Sequence, residues 1–305
     1  MVGSLSLLDR WRAYRRSLGW RQAKAAYTFL SPNLLFVVVF SFLPMVAALC
    51  FGFTRYSILQ MPAWVGLQNY ATMLKDDIFQ RSIINTLYFV LVLTPVRLAL
   101  GLLVAVLLNQ KLALRNFFRT VTFVPWITSG VVVSSIFLLL YNPEVGILNY
   151  VMRLVGLPPS YWLTDPKTAM PSIIIAALWR SVGWVVILYL AGLQGIPEQY
   201  YEAAKIDGAG DWAQFWHITL PSLRPTTLLI LVTTMINTFQ MFDLVYVMTS
   251  GGPMNSTTVM ALEIYHNAFL YLKMGYASAQ SYVLFAIVAI LSYFSFRGFG
   301  SDVVE

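Results

Sequence analysis

Glu202-Ala203-Ala204-Lys205-Ile206-Asp207-Gly208, followed after nine residues by Ile218-Thr219-Leu220-Pro221, lies in the longest polar gap of an otherwise apolar chain. Pro197 suits the first turn of a helix, where its missing N–H would have had no partner anyway. Glu198 then falls where the positive helix end favours an acid. Tyr200 to Ile206 continue that helix, and Gly208 stands where a left-handed stop is easiest. Asp211 as N-cap with Gln214 three residues on predicts a capping box opening a second helix. Its Trp212, Phe215 and Trp216 share one edge at i, i+3, i+4 spacing, and Pro221 and Pro225 close the segment. Two short helices meeting at an Asp-Gly corner make a compact knob. Ala203 and Ala204 keep one side small enough for close approach, and Glu202 offers a carboxylate to a basic partner or to an arginine of its own chain.

The residues around the knob say what it projects from. Of 305 residues, 58% are hydrophobic and 11% charged, and mean hydropathy is +0.69. Soluble domains carry about 25% charged residues, so the composition predicts an integral membrane protein. The single cysteine, Cys50 in an apolar run, excludes a disulfide framework and a cysteine-rich metal site. The net charge of +7 gathers beside apolar runs, which reads as membrane topology rather than nucleic-acid binding.

Runs of about 20 mainly apolar residues predict six spans: Tyr27–Phe53, Ile83–Leu108, Val121–Tyr141, Ser172–Leu193, Thr226–Met248 and Ala279–Phe296. Twelve basic residues fall on one side: Arg10, Arg12, Arg15, Arg16, Arg21, Lys24, Lys111, Arg115, Arg119, Lys205, Arg224 and Arg297. Six fall on the other: Arg55, Lys75, Arg81, Arg153, Lys167 and Lys273. The positive-inside rule therefore predicts cytoplasmic termini and a cytoplasmic knob. The first run is too long for a signal-peptide core of about 7–15 residues, and bulky Leu49 before Cys50 argues against lipoprotein cleavage. Residues 1–26 read either as a short amphipathic surface helix or as a disordered basic tail.

The gaps on the opposite side hold turn chemistry, Asn142-Pro143, Leu157-Pro158-Pro159 and Gly251-Gly252-Pro253, rather than a folded domain. No Gly-x-x-x-x-Gly-Lys-Ser/Thr phosphate loop occurs in the sequence. Any ATP used is therefore expected, with its Mg, on another polypeptide. The chain itself is expected to bind no cofactor or metal and to catalyse no covalent step.

The Glu202–Pro221 spacing resembles the coupling loop of ATP-binding-cassette (ABC) importer permeases, where the membrane subunit grips its ATPase. Similarity to the carbohydrate-importing, maltose and glycerol-phosphate type of permease extends further. It includes Gly66-Leu67-Gln68-Asn69-Tyr70, Asn85-Thr86, Asn116-Phe117-Phe118-Arg119-Thr120, Val124-Pro125-Trp126, Asn142-Pro143 with Gly146, Leu148 and Asn149, and Phe242-Asp243 with Tyr246, Thr249 and Gly251-Gly252-Pro253. These cover about residues 27–296 and point to the first permease of a heteromeric pair. The expectation is a minimal six-helix subunit, without the extra N-terminal helices and large external insert of the enteric maltose subunit.

The resemblance implies an all-α type I importer permease fold in a bacterial or archaeal cytoplasmic membrane. It is expected to have a basic tail (1–26), a first helix (27–53), a five-helix core (82–296) containing the coupling loop (197–221), and a short tail (297–305). It implies ATPase coupling through Glu202, Ala203, Ala204, Asp207, Gly208, Ile218, Leu220 and Pro221. The implied partners are a second permease, two ATPase subunits, an external sugar-binding protein, a sugar substrate and membrane lipid.

A sugar needs hydroxyl partners and aromatic faces near mid-membrane, where polar groups are expensive and mark function. The fourth and fifth spans offer Trp179, Ser181, Trp184, Thr234, Asn237, Thr238, Gln240 and Met241, with Phe239 as a further apolar platform. The same Ser, Thr and Asn residues also serve as ordinary helix-to-helix glue. Arg97, Arg180 and Asp243 are the charges deep within the predicted spans, and buried charges are usually paired. Either arginine is a candidate partner for Asp243. The rival reading is an ion-coupled secondary transporter using these three charges, although no inverted repeat is evident. An intramembrane enzyme is disfavoured by the absence of a nucleophile, metal or paired-carboxylate constellation. The lack of an arginine cluster among the substrate candidates favours a neutral sugar over a phosphate.

Overall fold

A computed structural model describes residues 18–110 and 113–300. The expected N-terminal surface helix lies outside the described residues over 1–17, as do Lys111 and the last five residues of the tail. From Leu18 the chain is already helical. Helix α1 (Leu18–Val37) passes through one π-helical turn (Val38–Phe42) into α2 (Leu43–Phe51). The most apolar part of this continuous rod is exposed along its whole length. Its second half docks where the Tyr282 hydroxyl donates to the Met45 carbonyl.

A short hairpin follows that the sequence reading did not anticipate. Strands β1 (Thr54–Ser57) and β2 (Gln60–Trp64) pair antiparallel, with Thr54 opposite Trp64. Four or five residues carry too few alternations to reveal a period of two. The Asn69 side chain, from α3 (Gln68–Met73), fixes the first strand by donating to the carbonyls of Gly52 and Thr54 at 2.8 and 2.9 Å.

Two long helices form the spine. Helix α4 (Asp77–Asn109) starts at Asp76, whose carboxylate accepts from the amides of Ile78 and Phe79 at 3.0 and 3.2 Å. This is an N-cap satisfying orphan donors. Between α4 and its partner come α5 (Arg115–Ile127), α6 (Gly130–Leu140) and α7 (Ile147–Leu154). Helix α8 (Pro166–Gln194) opens on the Asp165 cap and packs along α4. In membranes such packing depends on small residues and close contact rather than on the hydrophobic effect. At Gly101 of α4 a Cβ would lie 2.4 Å from Val185 Cγ1, and at Gly183 of α8 it would lie 2.1 Å from the Thr122 carbonyl oxygen.

Among the described residues, four helical stretches are long and apolar enough to cross a membrane, or up to six if each of two bent pairs counts as one. The expected third span is one of these pairs: α5 and α6 meet at 99°. Thr128 and Ser129 are extended (ψ 137 and 138), so the helical ladder stops three residues after Pro125. The expected fifth span is also interrupted. Helix α12 (Arg224–Phe239) ends, residues 240–242 are non-helical, and a new helix runs from Asp243 to Thr249. Residues 260–270, read as part of a gap, are helical as well, and the last helix runs Met274–Gly300. The helix from Asp243 is capped by Ser250, left-handed at φ 48, just before the Gly251-Gly252-Pro253 turn.

Two apolar clusters are stacked along the spine. One joins Phe89 and Leu93 of α4 to Ile173, Ala177, Val133 and Leu244. The other joins Ala105 and Leu108 to Val185, Tyr189, Leu190 and Ile230. Between them, at the levels of Thr94–Arg97 and Ser181, lies a buried polar layer.

Candidate functional site

The knob sits at the end of α4 opposite the Asp76 cap. Its first arm, α9, spans Glu198–Ile206. Pro197 is extended at ψ 130 and takes the N-cap position rather than the expected first helical one. Gly208 adopts φ +80, and the chain doubles back there: Gly208 N–H donates to Lys205 at 3.1 Å and Ala209 N–H to Ala204 at 2.8 Å. Glycine is the residue that enters this region without steric cost.

The second arm is α10 (Asp211–Gln214), a π-helical turn (Phe215–Thr219) and α11 (Leu220–Ser222). The expected capping box is absent. Gly210, not Asp211, occupies the N-cap, and the Gln214 amide instead donates to the Ala209 carbonyl at 2.7 Å. That bond closes the corner from within. Tyr201 and Thr219 hydroxyls, 2.9 Å apart, tie one arm to the other. The rings of Trp212, Phe215 and Trp216 form a cluster with centroids 5.8 to 6.0 Å apart.

Glu202, Ala203, Asp207, Gly208 and Pro221 are exposed, whereas Ala204, Ile218 and Leu220 are half-buried. Ile206 is 86% exposed and Trp212 73%. Large apolar side chains exposed together on a polar segment mark a contact surface.

The polar layer brings two of the three intramembrane charges together. Arg180 Nη1 donates to Asp243 Oδ2 at 2.8 Å. Asp243 lies in the first turn of its helix, where the helix dipole favours negative charge. Gly130, the first residue of α6, abuts the pair: a Cβ there would be 1.6 Å from Oδ2 and 2.9 Å from Arg180 Nη1. Arg97 is buried nearby, with Nε and Nη2 lacking partners, as do the buried hydroxyls of Thr94 and Thr234.

The expected sugar-facing residues divide into two groups. Trp179, Asn237 and Gln240 are exposed, and Trp184 and Met241 half-exposed. Trp184 stacks on Trp126 at 5.4 Å, and Trp179 meets Phe137 edge-on at 5.6 Å. Ser181, Thr234, Thr238 and Phe239 instead point into the bundle. The Ser181 and Thr238 hydroxyls donate to the helix carbonyls four residues back, Ala177 and Thr234. Phe239 packs with Val90 and Met235. These hydroxyl bonds stay within their own helices. Sequence reasoning missed an aromatic cluster beside Asp243, in which Phe242 lies 5.1 Å from Tyr246 and 4.9 Å from Tyr265. The i, i+4 spacing of Phe242 and Tyr246 was visible, but Tyr265 arrives from a distant helix.

At the end of the bundle away from the knob, Glu263 is 6% exposed and accepts from Asn267 at 2.6 Å. Burial raises its pKa above the usual 4.5, and nearby Asp76 adds to the rise; the Asn267 bond and Lys273 oppose it. Asp76 itself accepts from the Tyr276 hydroxyl at 2.7 Å.

A family model, the binding-protein-dependent transport system inner membrane component, matches residues 97–300. The chain belongs to this family. It is thus a multi-pass inner-membrane permease component of a transport system. The trehalose/maltose transport permease MalF of Thermococcus litoralis is 34% identical over 278 residues, covering 90% of this chain and 93% of that protein. The lactose transport permease LacF of Rhizobium radiobacter is 36% identical over 277 residues, covering 88% and 92%. In fold, the chain is similar to a chain of a bacterial alginate ABC transporter solved with a pentasaccharide-bound periplasmic protein. That match has a TM-score of 0.82 and 24% identity, covering 93% of this chain and 96% of that one.

Proposed function

We propose that this chain is the transmembrane subunit of an ATP-driven ABC importer for a di- or oligosaccharide delivered by an external binding protein. The observation that carries the reading is the knob. The Glu202–Pro221 spacing folds into a two-armed projection with Glu202, Ala203, Trp212 and Trp216 exposed, on a chain of the binding-protein-dependent family. The sugar assignment draws support from the relatives named for trehalose/maltose and lactose transport.

In this reading the chain has six spans, the third made by α5 with α6 and the fifth by α12 with the helix that starts at Asp243, and both termini are cytoplasmic. ATP and Mg bind two separate ATPase subunits. One ATPase grips the knob at Glu202, Ala203, Ala204, Asp207, Gly208, Ile218, Leu220 and Pro221. A second permease completes the pathway, and the exposed length of α1 and α2 leaves ample surface for that subunit and for lipid. Closure of the ATPases moves the knob, and the rigid corner at Gly208 passes the motion to α8 and α12 on either side. Sugar binds at the exposed and half-exposed residues of the fourth and fifth spans, Trp179, Trp184, Asn237, Gln240 and Met241. It shifts the equilibrium between inward- and outward-open states only through unequal affinity for the two.

Neighbouring reading frames that encode a binding protein and a second Glu-Ala-Ala permease are expected. ATP-independent, ion-gradient-driven uptake by the purified chain alone would overturn the reading in favour of a secondary transporter.

A further inference from the structure

We infer that Arg97 is a second partner for Asp243, and that the carboxylate passes from Arg180 to Arg97 as the transporter changes state. The inference rests on the ATP-driven reading above.

Arg97 is 3% exposed, and neither Nε nor Nη2 has a hydrogen-bond partner. A guanidinium does not shed its charge inside a protein, and an uncompensated buried charge is strongly disfavoured. Arg180, near enough to act on it, is a like charge. Asp243 is the one acid in the six predicted spans. The polar layer therefore holds two cations and one anion, and in this state the anion is with Arg180.

The geometry makes an exchange mechanically simple. Arg97 lies one turn from Gly101, whose bare Cα admits Val185 of α8. Its face of α4 is therefore turned toward the helix that carries Arg180. Asp243 uses Oδ2 alone for the Arg180 bond. It also begins a short helix behind the non-helical link 240–242, so its first turn can shift without carrying α12 along. Arg180 has a buried Nε without a partner as well, so neither arginine is fully satisfied by the present arrangement. A shared acceptor between two donors on packed helices is a bistable element of the kind that switching proteins use.

Hydrogen–deuterium exchange over residues 239–249 tests this in the complete transporter, nucleotide-free and trapped with MgATP and vanadate. The wild-type assembly is expected to exchange differently in the two conditions; identical exchange with nucleotide trapped would overturn the change of partner, whereas an assembly that traps no nucleotide would overturn the ATP-driven reading. Given that difference, Arg97→Gln is expected to match wild type without nucleotide and to lose protection selectively in the trapped state. Arg180→Gln is expected to do the reverse. An Arg97→Gln profile that follows wild type in both conditions, or loosens equally in both, overturns the exchange and leaves Arg97 a structural or lipid-partnered charge. Should Arg97→Gln fail to assemble, Arg97→Lys takes its place, since one ammonium replaces a forked donor. Selective weakening in the trapped state is again the expected result, and no change or an equal change overturns the inference.

Discussion

Gly130 presents its bare Cα to the carboxylate of Asp243, and a methyl group there would lie 1.6 Å from Oδ2 and 2.6 Å from Cγ. The elbow between α5 and α6 is thereby set against the ion pair that joins α8 to the helix starting at Asp243. Gly130→Ala must displace either the carboxylate or the start of α6. Overpacking of this kind costs about 1–3 kcal/mol. Thermal unfolding of the purified chain is expected to show that loss, while Gly298→Ala, which meets open space, stays at the wild-type value.

The Arg180–Asp243 pair itself is partly exposed, 22% and 36% at the side chains. Solvent screening reduces its worth below that of a fully buried pair, so Arg180→Gln and Asp243→Asn should each cost about 1–3 kcal/mol. A double-mutant cycle on unfolding temperature is the check. Arg180→Asp combined with Asp243→Arg is expected to recover part of the loss, and strictly additive single effects would show that the contact contributes nothing.

Gly183 allows the backbone of α5 to lie on α8. A Cβ would come within 2.1 Å of the Thr122 carbonyl oxygen, a backbone atom that cannot swing away. Gly183→Ala is expected to separate the two helices at a cost of about 1–3 kcal/mol. Reduced recovery of assembled transporter, with the partner subunits expressed normally, is the readout.

These positions show where the sequence was legible. Long apolar runs located the spine helices, because length and hydropathy alone mark them. Gly208 announced its left-handed turn, since few other residues tolerate φ +80. The break at 240–242 left no such mark: no Pro or Gly stands there, and Arg180 and the bare Gly130, which meet the Asp243 carboxylate at the new helix start, come from distant parts of the chain. The capping box failed for a related reason. Asp211 and Gln214 have the right spacing, but Gln214 finds a better acceptor in the Ala209 carbonyl once the corner is folded. Exposure separated Trp179, Asn237 and Gln240 from Ser181 and Thr238, and helix-internal hydroxyl bonds are invisible to composition.

Glu263 gives the fold a pH dependence. Its pKa is raised, chiefly by burial, so the folded state favours the protonated carboxyl. Its contribution to stability is complete below the usual value of 4.5 and is lost as pH rises through the higher folded value. Glu263→Gln mimics the protonated form and keeps a hydrogen-bonding oxygen for Asn267. The variant is expected to flatten the decline of unfolding temperature between acid and neutral pH. A slope identical to wild type would place the titration elsewhere.

The central claim is that the Glu202–Pro221 knob receives the force of ATP hydrolysis. ATP-dependent uptake and ATP hydrolysis, measured together in proteoliposomes holding the complete assembly with Glu202→Lys and Gly208→Pro, test it most directly. Uptake is expected to be lost, either because the ATPases no longer dock or because they turn over without moving substrate. Undiminished ATP-dependent uptake by that variant would contradict it.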